Sequence, residues 1–147
     1  MPDLGPADRL ILKALGEDSR ISNADLAERA GLSASSCWRR VRALEEAGVI
    51  RGYTVRLDDT KCGLTFRAMV HVHLTRHDPE QLTAFIRAIR DREEIRACYA
   101  TTGQADYHLH VVCADLDAYN AFLERFLFRI PAVASAQTNV ILRAIKE

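Results

Sequence analysis

The densest run of chemistry-bearing side chains is Ser35-Ser36-Cys37-Trp38-Arg39-Arg40-Val41-Arg42, with Glu45 and Glu46 behind it. At about 100° per residue, Cys37, Val41, Leu44 and Gly48 fall on one side as a packing face. Ser35, Arg39 and Arg42 point away from it, flanked by Ser36 and Arg40. Short hydroxyls at the start of a helix can approach base edges or phosphates, and arginines behind them reach guanine or the backbone. The arrangement is that of a DNA recognition helix. Trp38 sits at the edge of the packing face and is expected in the core, with stacking on a sugar or base as the alternative. From Ser35 to Arg56 there are five Arg and two Glu, a local +3. A solvated basic face on an unrelated bundle would explain the charge alone, but not the elements around it.

Four of the five histidines form two alternating pairs, His71-Val72-His73 and His108-Leu109-His110. Alternation places both members of a pair on one face of a strand. If their strands are neighbours, the four imidazoles form a patch that could hold zinc, or a polar, proton-sensitive surface. Cys37, Cys62, Cys98 and Cys113 are widely spaced with no C-x-x-C pair, and three have apolar sequence neighbours. Structural thiols in a reducing compartment are expected. Phosphate loops, G-x-S-x-G and H-E-x-x-H are absent, so no catalytic constellation is assigned.

The elements that position these groups can be read in order. Pro6 opens a helix with Leu10, Ile11, Ala14 and Leu15 at helical spacing. Ser22 caps a second, Asn23 to Ala30, with Leu26, Ala27 and Ala30 as its apolar face. Gly31-Leu32-Ser33 is a short turn, and Ser33 caps the third helix, which runs to about Ala47 and is closed by Gly48. This is a helix-turn-helix pattern. Val49 to Leu57 reads as a strand-rich, wing-like tail carrying Arg51 and Arg56. Asp58 to Gly63 is polar and turn-prone.

The pattern then changes. Phe66–Thr75 alternates as a strand, Pro79 to about Arg92 is a helix, and Ile95–Thr102 and Asp106–Cys113 are strands about a tight Gly103-Gln104-Ala105 loop. Leu116–Phe128 is a helix that Pro131 ends, and 133–145 contains the last strand. The order is βαββαβ, which makes the strands of the two histidine pairs central neighbours. The fold class is therefore α+β, a helix-turn-helix domain over residues 1–57, a linker over 58–64 and a ferredoxin-like domain over 65–147.

In this order of elements, Ile21–Tyr53 (ISNADLAERAGLSASSCWRRVRALEEAGVIRGY) and, inside the βαββαβ segment, Thr101–Val111 (TTGQADYHLHV) resemble the Lrp/AsnC transcription regulators over nearly the whole chain. The resemblance implies a winged helix-turn-helix and a carboxy-terminal domain for oligomerisation and small-molecule sensing. It implies homodimers assembling into octamers or other higher oligomers, double-stranded DNA as partner, an amino-acid effector and no further cofactor. It assigns DNA-facing positions to Ser35, Ser36, Arg39, Arg40 and Arg42. Thr102-Gly103-Gln104-Ala105-Asp106-Tyr107 matches the family's effector-pocket loop, at a junction between dimers, and Ala100 and Asn139-Val140-Ile141 match other pocket positions. Gly103 would let backbone N–H groups approach a carboxylate and Asp106 would face an ammonium, beside a plain hairpin-capping role. The histidine-bearing sheet face would pack on a partner subunit.

Composition sets outer limits. The 147 residues carry 20 Lys+Arg and 20 Asp+Glu, 48% hydrophobic and 27% charged, ordinary for a soluble globular protein. No apolar stretch approaches the roughly 20 residues that span a bilayer, and no signal peptide is recognisable, so a cytoplasmic location is expected. Residues 1–56 hold nine basic and eight acidic groups, and 57–147 hold eleven and twelve. A neutral subunit with one basic helix is expected to bind DNA through several copies acting together. The other classes to distinguish are an effector-independent architectural protein, a metal sensor built on the histidine pairs, and an enzyme on a ferredoxin-like domain.

Overall fold

A computed structural model describes residues 4–75 and 78–146. The chain divides between Arg56 and Leu57 into two compact units.

The first unit is built from α1 (Pro6–Glu17), α2 (Asn23–Ala30) and α3 (Ala34–Glu46). Their ends follow from local chemistry. Pro6 occupies the first turn of α1, where its missing N–H costs nothing. The Ser22 and Ser33 hydroxyls accept from the Asp25 and Ser36 N–H groups, capping α2 and α3. Gly31, at φ 65°, ends α2 in the left-handed conformation that glycine adopts without strain. Ile11, Ala14, Leu26, Ala27, Ala30, Cys37 and Leu44 form the buried core. Ile11 and Cys37 are fully buried, and an aliphatic side chain of that kind stabilises a fold by about 1.5–3 kcal/mol. Leu10, placed on the apolar face by spacing, is instead about half exposed.

The tail after α3 differs from the expected strand. Residues 51–57 form no ladder, and Val55 and Leu57 are exposed. Alternation supplies side chains for a strand, but a strand also needs a neighbour for its N–H and C=O groups, and none of the described residues of this chain provides one. Residues 58–64, expected as a linker, form a hydrogen-bonded turn in which the Leu64 N–H donates to the Asp59 carbonyl and Asp59 pairs with Arg96.

The second unit runs β1 (Phe66–Leu74), α4 (Pro79–Arg90), β2 (Ile95–Ala100), β3 (Tyr107–Cys113), α5 (Leu116–Arg125), a 3-10 turn (Leu127–Arg129) and β4 (Val133–Val140). The sheet order is β2-β3-β1-β4, antiparallel throughout. Ala68, Val70, Val72, Leu109 and Val111 face one way and pack on Phe85 and Ile89 of α4 and Tyr119 and Phe122 of α5. The Tyr119 hydroxyl lies 2.6 Å from Thr138 Oγ1, which satisfies its polar end. Helix α5 stops three residues short of expectation because the chain tightens into the 3-10 turn at Leu127. The cysteines are all free, but only Cys37 and Cys113 are buried, where burial raises both thiols above the ordinary range. Cys98, on the outer strand β2, is exposed, contrary to its apolar sequence context.

Candidate functional site

Helix α3 is anchored through its neighbours. The Asn23 amide of α2 donates to the Ala34 carbonyl at 2.9 Å, tying the starts of the two helices together. On the solvent side, Ser35, Trp38, Arg39, Arg40 and Arg42 are exposed and Ser36 is half-buried. The three arginines differ in what else they do. Arg40 pairs with Asp8 of α1 at 2.9 Å, and that carboxylate also accepts from the Gly5 N–H. Arg42 pairs with Glu45 at 3.5 Å and lies 6.0 Å from the Trp38 ring centroid, within cation–π range. Arg39 has no ion-pair partner among the described residues.

The expectation for Trp38 is overturned. Trp38 is 60% exposed, because α3 buries only Cys37 and Leu44, with Val41 partly buried beside them, and residue 38 lies one step round the helix from that narrow stripe. Glu45 carries the network further by accepting from the Tyr53 hydroxyl at 3.0 Å. Partial burial, then the hydrogen bond and charge of Glu45, raise the Tyr53 pKa and keep it a donor. Trp38, Arg42, Glu45 and Tyr53 thus connect the exposed face of α3 to the tail.

In the second unit, the loop after β2 is fastened to β1. The Thr101 N–H donates to the Asp106 carbonyl, and the Thr101 hydroxyl to the Ala105 carbonyl. The Asp106 N–H donates to the Val72 carbonyl, and its carboxylate accepts from the Leu74 N–H at 2.8 Å. Leu74 lies where the β1–β4 register shifts, so Asp106 satisfies a donor that the irregular ladder leaves over. Gly103 has φ 139°, a conformation that favours glycine.

The residues that the sequence assigns to one pocket line two. Ala100, Asp106 and Tyr107 border a cleft of about 540 Å³ with Leu74, Pro79, Leu82 and Ala132. Thr102, Gln104, Ala105 and Asn139 border another of about 480 Å³ with His71, His73, His108 and Gln137. The separation follows from alternation: Tyr107 points to the helix-covered face of the sheet and His108 to the opposite one. Gly103, Val140 and Ile141 border neither cleft. The histidines and Gln137 are the lining residues that sequence reasoning missed; the H-x-H alternation carried the signal and was read as metal or interface chemistry.

All four histidines do share that opposite face. His71 pairs directly with His108, and His110 with Met69. The His71 and His108 rings meet edge to face at 4.5 Å, and Asn139 Nδ2 lies 3.0 Å from His71 Nε2. Among the described residues no three His, Cys, Asp or Glu side chains come together as a metal-binding group.

Comparison with known proteins decides what these parts belong to. Residues 67–147 match the Lrp/AsnC ligand binding domain, and residues 5–51 match a winged helix-turn-helix DNA-binding domain. The chain belongs to the Lrp/AsnC family. It is 40% identical over 145 residues to the Bkd operon transcriptional regulator of Pseudomonas aeruginosa, covering 99% of this chain and 95% of the relative. It is 37% identical to the leucine-responsive regulatory protein of Escherichia coli, covering 99% and 88%. The fold is similar to that of a Neisseria meningitidis transcriptional regulator solved as an L-Met complex, with a TM-score of 0.95, 32% identity and coverage of 99% and 94%.

This Lrp/AsnC protein is accordingly a DNA-binding transcription regulator with a ligand-binding domain, and not an enzyme. Among the described residues, no helix is long and apolar enough to cross a membrane.

Proposed function

We propose that this regulator contacts DNA through Ser35, Ser36, Trp38, Arg39, Arg40 and Arg42, and that an amino acid bound in its carboxy-terminal domain alters DNA binding. The observation that carries the reading is the Thr102–Asp106 loop. It matches the family's effector loop, borders both clefts, and is held against β1 by two hydrogen bonds, the Asp106 N–H donating to the Val72 carbonyl and the Asp106 carboxylate accepting from the Leu74 N–H. The Neisseria relative solved with L-Met supports an amino acid as the ligand class.

The coupling runs through assembly. A neutral subunit with one basic helix gains DNA affinity when several copies act together, and a dimer presents two recognition helices at a spacing that selects paired half-sites. A ligand that favours one assembly geometry changes that spacing and hence affinity. The test is a thermal-shift screen of the twenty amino acids on the full chain, repeated with light scattering. A raised melting temperature with a change of particle size supports the reading. No shift with any amino acid would replace it with an effector-independent architectural role.

A further inference from the structure

Trp38, Arg42 and Glu45 follow one another along a single flank of α3, at spacings of four and three residues that make each the next one's neighbour. The chain then folds back on the end of the helix, where the Gly48, Val49 and Ile50 N–H groups donate to the Glu45 and Leu44 carbonyls. Beyond Ile50 the backbone ties stop. Among the described residues, the segment 51–57 makes one hydrogen bond, from the Tyr53 hydroxyl to Glu45 Oε1 at 3.0 Å. Tyr53 is half exposed and takes no part in the core of the first unit. Its hydroxyl therefore acts on Glu45 and not on packing.

The Glu45 carboxylate is divided between two partners. Oε1 accepts from Tyr53, while Oε2 lies 3.5 Å from Arg42 Nη1. On its other side Arg42 lies 6.0 Å from the Trp38 ring centroid. A guanidinium set between an anion and an aromatic ring has fewer rotamers open to it, so fixing it against a ligand costs less. The separation of 3.5 Å is also longer than the about 2.7–2.9 Å of a full charge-assisted hydrogen bond. Arg42 is held, but its donors are not consumed.

We propose that Glu45 and Tyr53 are positioning residues of the DNA interface, the Tyr53 hydroxyl fixing the Glu45 carboxylate where it orients Arg42 without sequestering it. This rests on the reading given above that Arg42 contacts DNA, and it extends that reading to two residues that act through Arg42. Without the hydroxyl, Glu45 is free to close on Arg42 and neutralise it, or to turn as an unpaired anion toward the phosphates. Either movement weakens a docked complex. Loose, charge-driven binding depends little on where one guanidinium is held.

Anisotropy titrations of the full chain test this with two duplexes, one selected by it from a random pool and one scrambled. Tyr53→Phe keeps the ring and the net charge. It should lower affinity for the selected duplex roughly two- to tenfold and leave the scrambled one nearly unchanged. Made in an Arg42→Ala background, the same substitution should have no further effect, because the hydroxyl acts through Arg42. Glu45→Gln removes an anion, so it should raise affinity for both duplexes while narrowing the ratio between them. Wild-type affinity in Tyr53→Phe overturns the inference. So does an equal loss in the Arg42→Ala background, which would make the hydroxyl itself a DNA contact. Should Tyr53→Phe lose native secondary structure, an unchanged ratio in Glu45→Gln overturns the inference and a narrowed one supports it. These outcomes leave the Arg42 contact standing; a preference that survives Arg42→Ala intact removes that contact and the inference together.

Discussion

Arg39, Arg40 and Arg42 look equivalent on a helical wheel, but their surroundings separate them. Arg39→Ala removes a cation with no carboxylate partner among the described residues, so it should weaken binding to a cognate duplex by about 1–3 kcal/mol with the melting temperature unchanged. Arg40→Ala also breaks the 2.9 Å pair with Asp8, and as a partly exposed pair this adds up to about 1 kcal/mol of lost stability. Fluorescence anisotropy and a urea melt on the two variants separate the effects. Trp38 is the one tryptophan of the chain, so its emission reports on α3 directly. It should be quenched or shifted when DNA is added, and an unchanged spectrum at saturation would remove Trp38 from the interface. Asp106 has both a structural and a proposed binding role. Asp106→Ala leaves the Leu74 N–H without its acceptor, at a cost of about 1–3 kcal/mol. Asp106→Asn keeps an acceptor oxygen and removes only the charge. The proposed role predicts loss of the amino-acid thermal shift in both variants, with loss of stability larger in the alanine variant.

At the scale of elements, what the sequence makes legible is what local chemistry determines. Ser22, Ser33, Gly31 and Pro6 end or begin helices through hydrogen bonds or torsions a few residues away, and those boundaries are placed within about a residue. The βαββαβ order is legible because apolar periodicity shifts between 2 and 3.6. The tail after α3 was not, since alternation in Val49–Leu57 says nothing about whether a partner strand exists. Trp38 and Leu10 were misplaced because a wheel gives direction but not the width of the buried stripe. The division of the Thr102–Asp106 loop between two clefts was also hidden, as it depends on which sheet face each neighbour of Asp106 takes. Ser33→Ala tests the best-determined boundary. It should lower the stability of the first unit by about 1 kcal/mol, read in a thermal melt, and weaken DNA binding by loosening the first turn of α3.

For the whole molecule, equal numbers of acidic and basic groups leave no net charge to draw the protein to DNA, so the proposed function draws its affinity from the local +3 of residues 35–56, repeated in several copies. Light scattering should therefore find dimers or larger particles at concentrations where DNA binds, and affinity should fall steeply with salt as phosphate counterions are released. A monomer that binds tightly would contradict this. The most direct test of the account is an anisotropy titration of a duplex selected from a random pool by the full chain. It should be run with and without the amino acid that gives the largest thermal shift, and against a scrambled duplex. The account predicts preference for the selected duplex, lost in Arg39→Ala, and an affinity or stoichiometry that the amino acid changes. Equal binding to selected and scrambled duplexes, indifferent to every amino acid, would contradict it.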